Sequence, residues 1–247
     1  MEAAVRIEKV FVAFGQEVVL RQVSHEFERG RIHGIAGGNG SGKTVLMKCI
    51  CGFLKPTGGR IFVNGLQVGR DMDFPSEMGV IIETPGFLPH LSGIKNLSIL
   101  AELRGKISHK DLIWFLRLVG LDPAMKKNVG QYSLGMRQRL GIAQAIMEDP
   151  ELLLLDEPFN GLDKKGAGEM RELLKELRQK GKTILLASHN PLDMEELCDS
   201  VSEMDGGVLT VVRPWNNPLE VENEKEKLAA FDGGISSNLD SSASGGI

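Results

Sequence analysis

Residues 31–44 read Arg-Ile-His-Gly-Ile-Ala-Gly-Gly-Asn-Gly-Ser-Gly-Lys-Thr, a short apolar run that passes without a break into Gly37-Gly38-Asn39-Gly40-Ser41-Gly42-Lys43-Thr44. The apolar run predicts a strand, and residues 43–53 carry the periodicity of a helix. A glycine-rich turn in that position has one physical use above others. Its glycines let successive backbone N–H groups turn inward, and the following helix adds the positive end of its dipole, which together suit a polyphosphate. The spacing G-x-x-x-x-G-K-T predicts that Lys43 reaches the β- and γ-phosphates and that the Thr44 hydroxyl ligates Mg²⁺. Gly37, Gly38, Asn39, Gly40, Ser41, Gly42 and Val45 join them as expected nucleotide contacts.

Leu152-Leu153-Leu154-Leu155-Asp156-Glu157 extends this reading. Four apolar residues predict a buried strand that delivers two carboxylates at its C-terminal edge, where open α/β sheets bind ligands. Asp156 is expected to hold the metal, commonly through water, and Glu157 to polarise the attacking water as general base. Taken alone, such a run is also the pattern of an ordinary strand leaving a core; the glycine loop upstream gives it chemical meaning.

Outward from these two motifs the chain alternates. Residues 5–12 and 17–27 predict strands joined at Phe14-Gly15-Gln16, residues 58–68 a hairpin turning at Asn64-Gly65, and 78–82 a buried strand. Residues 93–104, 111–119 and 134–148 predict helices, the second opened by Ser108 and Asp111, the third by Ser133. Then come a helix over 164–180, a strand over 183–187, a short helix over 191–198 and a final hairpin over 201–212 turning at Asp205-Gly206-Gly207. This order predicts an α/β fold with a parallel core. An N-terminal antiparallel β subdomain precedes it, and an α-helical lobe is inserted at about 86–149. The domain is expected to span 1–215, and residues 216–247, aperiodic and rich in Ser, Asn and Gly at the end, form an acidic tail expected to be disordered.

Composition narrows the function classes. The 247 residues are 42% hydrophobic and 25% charged with a net charge of −4, values of a globular protein without the basic stripe of a nucleic-acid binder. Residues 216–247 hold six acids and two bases, so the imbalance lies in the tail. Cys49, Cys51 and Cys198 fit no disulfide or metal spacing. The charged, alternating opening predicts no signal peptide, and no apolar run reaches the ~20 residues of a membrane span.

Tyr132-Ser133-Leu134-Gly135-Met136-Arg137-Gln138-Arg139 precedes a helix reading Leu-Gly-Ile-Ala-Gln-Ala. By itself this is also the pattern of an ordinary capped helix. Together with the two motifs above, in the same order and spacing over about residues 4–212, the chain resembles the ABC ATPase family, a P-loop NTPase fold. These residues stand where that family has its LSGGQ signature. Ser133 and Gly135 match, whereas Leu134 and Met136 depart. The resemblance implies that Ser133 and Gly135 contact the γ-phosphate held by another subunit, and that Phe14 stacks on adenine. It implies that Asn160-Gly161-Leu162-Asp163 crosses a dimer interface and that His189 senses γ-phosphate. His25, His33, His90 and His109 match nothing and read as structural.

A further departure follows the strand at 78–82. The family usually has glutamine where this chain has Glu83, and Glu83-Thr84-Pro85-Gly86-Phe87 with the Ser-Leu-Gly-Met signature resembles the branch of bacitracin and lantibiotic resistance exporters. A carboxylate can ligate Mg²⁺ but donates no N–H; the alternative is that Glu83 faces solvent and glutamine would serve equally. The resemblance implies ATP and Mg²⁺ as cofactors and a homodimer or heterodimer of ATPase subunits. It also implies a transmembrane permease as partner, no nucleic acid, and a cytoplasmic position on the inner face of the membrane. Rival readings fit less well. Repair and chromosome ABC ATPases carry long coiled coils and translation members tandem cassettes; a GTPase usually carries Asn-Lys-x-Asp and a kinase needs an acceptor site and lid. An inactive binding module would not be expected to keep Lys43, Asp156, Glu157 and His189.

Overall fold

Ten strands and six α-helices occur among the described residues, which are 3–105 and 107–214 of the computed structural model. The expected acidic tail lies outside them. Strands β1 (Ala3–Phe14), β2 (Glu17–Glu28), β4 (Gly58–Val63) and β5 (Leu66–Gln67) form an antiparallel sheet in the order β2-β1-β4-β5. Strands β3 (Ile32–Ala36), β6 (Met78–Ile81), β7 (Leu152–Asp156), β8 (Thr183–Ser188), β9 (Ser200–Asp205) and β10 (Val208–Arg213) form a second sheet in the order β10-β9-β3-β8-β7-β6. All neighbours in the second sheet run parallel except β10, which pairs antiparallel with β9.

The four leucines of β7 account for how the layers join. Strand side chains alternate between faces. Leu152 and Leu154 enter the core shared with the antiparallel sheet and helix α1 (Lys43–Ile50), beside Phe27, Leu46 and Ile50. Leu153 and Leu155 enter the opposite core beside Leu140, Met170 and Leu174. A strand buried on both faces therefore reads as an unbroken apolar run.

Between β6 and β7 the chain runs through α2 (Gly93–Arg104), α3 (His109–Leu118), a 3-10 turn (Val129–Gln131) and α4 (Leu134–Ile146). Ser108 and Asp111 close a reciprocal capping box on α3, and Ser133 Oγ accepts the Met136 N–H at 3.2 Å to cap α4. Helices α5 (Lys164–Gln179) and α6 (Pro191–Leu197) follow β7 and β8.

Two helices end two or more residues before their periodicity predicts. Helix α1 ends at Ile50 rather than at Phe53, because Gly52 takes φ 84° and turns the chain away. Helix α4 ends at Ile146 rather than at Glu148, ahead of Asp149 at φ 53°. His33 is buried, held by Ser200 Oγ at 2.7 Å and the Glu28 carbonyl at 2.8 Å. The three cysteines are buried free thiols.

Candidate functional site

The glycine loop leaves the C-terminal end of β3, an inner strand flanked by β8 and β9. Gly42 stands at φ 112°, where the chain reverses into α1, and a Cβ there would lie 2.9 Å from Leu20 Cδ2 and 3.2 Å from the Val19 carbonyl. Only glycine fits both the backbone and the space. Lys43 is buried, and its ammonium donates to the carbonyls of Gly37 at 2.7 Å and Gly38 at 2.9 Å, so the lysine closes the loop on itself. Ser41 Oγ is buried in the same loop without a hydrogen-bond partner.

Asp156 and Glu157 stand at the end of β7, next to β8 in the sheet. The Thr44 hydroxyl donates to Asp156 Oδ2 at 2.5 Å, joining helix start to strand end. The next residue, Glu157, adopts φ 49°, and Glu83, just beyond β6, adopts φ 59°. Left-handed backbone at a non-glycine residue costs on the order of 1–3 kcal/mol and persists only where the surroundings enforce it. For Glu157 they are visible: its N–H donates to the Ala187 carbonyl at 2.9 Å, and its Oε1 accepts from the His189 N–H at 3.1 Å and lies 2.7 Å from His189 Nδ1. Gln138 of α4 donates to the Glu157 carbonyl at 3.4 Å, tying the helical segment to the same turn. Glu83 forms an ion pair with Lys48 at 2.6 Å. That pair offsets the negative charge that glutamate adds at this position.

Burial pushes the Asp156 carboxyl above the ordinary carboxylate range, reinforced by the charges of Glu157 and Glu83 and opposed by the Thr44 hydroxyl and Lys43. A carboxyl raised on folding favours the folded state most below its unfolded pKa and loses that contribution as pH rises through the folded value. Asp156→Asn should therefore raise the melting temperature of the metal-free protein at pH 7. The difference should shrink as pH falls toward 4, the usual carboxylate range. Differential scanning fluorimetry across pH checks this; a variant less stable than the parent at pH 7 would contradict it.

A cleft of about 550 Å³ brings together Asn39, Gly40, Ser41, Gly42, Lys43, Thr44, Val45, Glu83, Asp156 and Glu157. Gly37, Gly38 and His189 line a neighbouring groove on the other side of the loop. Phe14 is not part of the cleft: it ends β1 in the hairpin with Glu17 and is 52% exposed, while Val19 of β2 lines the cleft wall. Ser133 and Gly135 are likewise outside it, though Leu134 between them lines it. A Cβ on Gly135 would meet the Gly161 carbonyl at 2.6 Å, so the two glycines make a close backbone crossing. Asp163 caps α5 through the Gly166 N–H at 2.8 Å. Sequence reasoning missed Lys48, Gln138 and Val19. Only Lys48 left a local signal, one helical turn after Thr44.

No group of three or more His, Cys, Asp or Glu side chains suited to a metal occurs among the described residues. The donors at the loop are instead one hydroxyl and the carboxylates of Asp156 and Glu83, hard oxygens. Such a set fits Mg²⁺, which is bound through one or two carboxylates with phosphates and waters completing the shell. The buried, unpartnered Ser41 hydroxyl fits a phosphate oxygen by the same logic.

A glycine loop on an inner parallel strand, with an acidic pair at the end of β7, one strand removed across β8, places this chain among the P-loop NTPases. A family model described as "ABC transporter" matches residues 20–160. A second model, described as "AAA domain, putative AbiEii toxin, Type IV TA system", matches the shorter stretch 126–195. The bacitracin transport ATP-binding protein BcrA of Enterococcus faecalis is 41% identical over 211 residues, 85% of this chain and 68% of that protein. The lantibiotic transport ATP-binding protein SrtF of Streptococcus pyogenes is 35% identical over 197 residues, 79% of this chain and 84% of that protein. A solved ATP-binding subunit of an ABC transporter superposes with a TM-score of 0.74 at 28% identity, covering 83% of this chain and 88% of that one. The chain belongs to the ABC transporter family, as an ATP-binding subunit and an ATPase.

Proposed function

We propose that this chain is half of a two-part ATP motor that drives a membrane permease. The observation that carries this reading is the separation of its parts. Lys43, Thr44, Asp156 and Glu157 share one cleft, while Ser133 and Gly135 at the start of α4 do not line it. If the signature turn serves phosphate, it serves phosphate held by another copy, and two complete sites need two chains head to tail. Lys43 and the loop N–H groups would bind ATP. Thr44 and Asp156, with Glu83 at the rim, would hold Mg²⁺, which when bound neutralises phosphate charge. Glu157 would accept the proton of the attacking water at Oε2, its Oε1 already held by His189 through the backbone N–H and Nδ1. The His189 Nε2 is then the nitrogen left for a γ-phosphate oxygen, and Phe14 is assigned to adenine from the hairpin tip.

The test is concentration dependence. ATPase rate per molecule should fall as the chain is diluted below its association constant; a rate that stays flat, with no second subunit attached, would overturn the two-part motor. No helix among the described residues is long and apolar enough to cross a membrane. Attachment to the cytoplasmic face would therefore run through the permease. Likeness to bacitracin and lantibiotic transport proteins supports export of peptide antibiotics as the task, and the permease that co-purifies with this chain would identify the cargo.

Glu83 has its own consequence in this scheme. Lys48 holds only Oε1 of its carboxylate, so Oε2 would be the oxygen for Mg²⁺, and Glu83→Gln should shift the Mg²⁺ dependence of hydrolysis by about tenfold or less, the scale of one weakened charge contact. A Mg²⁺ titration identical to that of the parent would assign Glu83 to the surface alone.

A further inference from the structure

A second buried polar group lies behind the site and plays no part in the scheme above. Arg171 of α5, Asp193 of α6 and Ser188 at the end of β8 are 8%, 2% and 1% exposed. The Arg171 guanidinium donates to Asp193 Oδ1 from Nε at 3.0 Å and from Nη2 at 2.6 Å. The Ser188 hydroxyl donates to Asp193 Oδ2 at 2.7 Å and itself accepts the Asn190 N–H at 3.1 Å. His189 is the residue enclosed by that last bond. On the other side, the Arg171 guanidinium lies 5.4 Å from the ring centre of Phe159, two residues beyond Glu157. One cation thus touches the segment that follows Glu157 directly and the turn that carries His189 through Asp193.

Stability alone is a poor reason to bury such a pair. Its desolvation cost approaches or exceeds its attraction, and well-packed apolar residues of similar volume often do as well. What an ionic pair with directional bonds adds is a defined position. The His189 backbone must be placed so that both its N–H and its Nδ1 converge on one oxygen, Glu157 Oε1. That demands a fixed turn at residues 188–190. Asp193 oxygens are shared between anchoring (Oδ1, to Arg171) and holding the turn (Oδ2, from Ser188).

We propose that Arg171, Asp193 and Ser188 are positioning residues for ATP hydrolysis, acting through the 188–190 turn on the His189–Glu157 pair. This rests on the reading of Glu157 as the base. The decisive variant is Ser188→Ala, which deletes the one hydroxyl joining the ion pair to the turn and leaves the ion pair in place. In the full-length chain, kcat should fall about tenfold with KM and ATP affinity within about twofold, as expected when the loss falls on the transition state rather than on binding. In a His189→Ala background, followed by single-turnover hydrolysis of labelled ATP, Ser188→Ala should cost nothing further, because two residues acting through one another are not additive. A merely structural serine would lower the melting temperature and cost the same factor in both backgrounds. Asp193→Asn, which keeps the shape but loses the charge that holds Arg171, should reproduce the kcat loss. Should it fail to fold, the serine pair of measurements still decides. A Ser188→Ala kcat within twofold of the parent, while Glu157→Gln and His189→Ala are strongly impaired, would overturn this inference alone. Undiminished hydrolysis by those two variants would instead overturn the assignment of the base.

Discussion

Glu157→Gln is expected to lower steady-state ATP hydrolysis by about 10²–10⁴-fold, the usual contribution of a positioned general base, while ATP binding survives. The substitution is nearly isosteric. The amide oxygen can still accept the His189 N–H that now reaches Oε1, and the left-handed backbone at φ 49° need not change. What disappears is the proton acceptor at Oε2 and one negative charge beside the phosphates. Loss of that charge favours bound ATP, so the nucleotide should persist between two subunits and hold them together. Sizing chromatography with ATP and Mg²⁺ should therefore move this variant to the dimer position. A monomer under those conditions would count heavily against ATP as the bond between subunits.

Lys43→Ala is expected to act on binding instead. Charged hydrogen bonds are worth about 1.5–3 kcal/mol each, and each 1.4 kcal/mol is about tenfold, so ATP affinity should fall by at least about tenfold. The variant removes the ammonium that would meet the β- and γ-phosphates and that now holds the Gly37 and Gly38 carbonyls. ADP, lacking the γ-phosphate, should lose less than ATP. Calorimetric titration with both nucleotides measures the difference, and unchanged ATP affinity would contradict the phosphate role.

The two mutations separate binding from turnover, and their logic is legible in the sequence. The glycine loop carries a local signal strong enough to stand alone, backbone freedom; the Leu152–Leu155 run announces two-sided burial, and the loop gives the two carboxylates that end it their chemical meaning. The central helices were legible too, since Ser108 and Ser133 are caps whose partners lie three residues away. Helix ends were less so. The chain leaves α1 at Gly52, which takes φ 84° as the left-handed glycine that follows a helix; that local stop signal was there to be read, but the apolar periodicity runs past it to Phe53. A Cβ on Gly52 would also lie 2.1 Å from the Asp73 carbonyl, a contact no local pattern announces.

Long-range polar pairing was beyond the sequence altogether. Glu83 could be recognised as a departure, but its neutralising partner Lys48 sits 35 positions earlier. Arg171 reads as one more charge on an amphipathic helix, and Asp193 as an ordinary acid in the first turn of another; only packing buries both and turns them toward Ser188.

The amino-acid order by itself determined the individual strands and helices, the phosphate loop and the carboxylates delivered at a strand's end, because each depends on neighbours within a few residues along the chain; the alternation of strands and helices pointed to a parallel core without saying which strands pair. Tertiary structure decided which of those groups meet: that Thr44 reaches Asp156, that His189 grips Glu157 with two nitrogens, and that Ser133 and Gly135 stay outside the cleft. The reason is geometric. Strand order and register bring the ends of β3, β8 and β7 side by side, and no local pattern encodes a distance between residues 32 positions apart, as Glu157 and His189 are, or 112 apart, as Thr44 and Asp156 are.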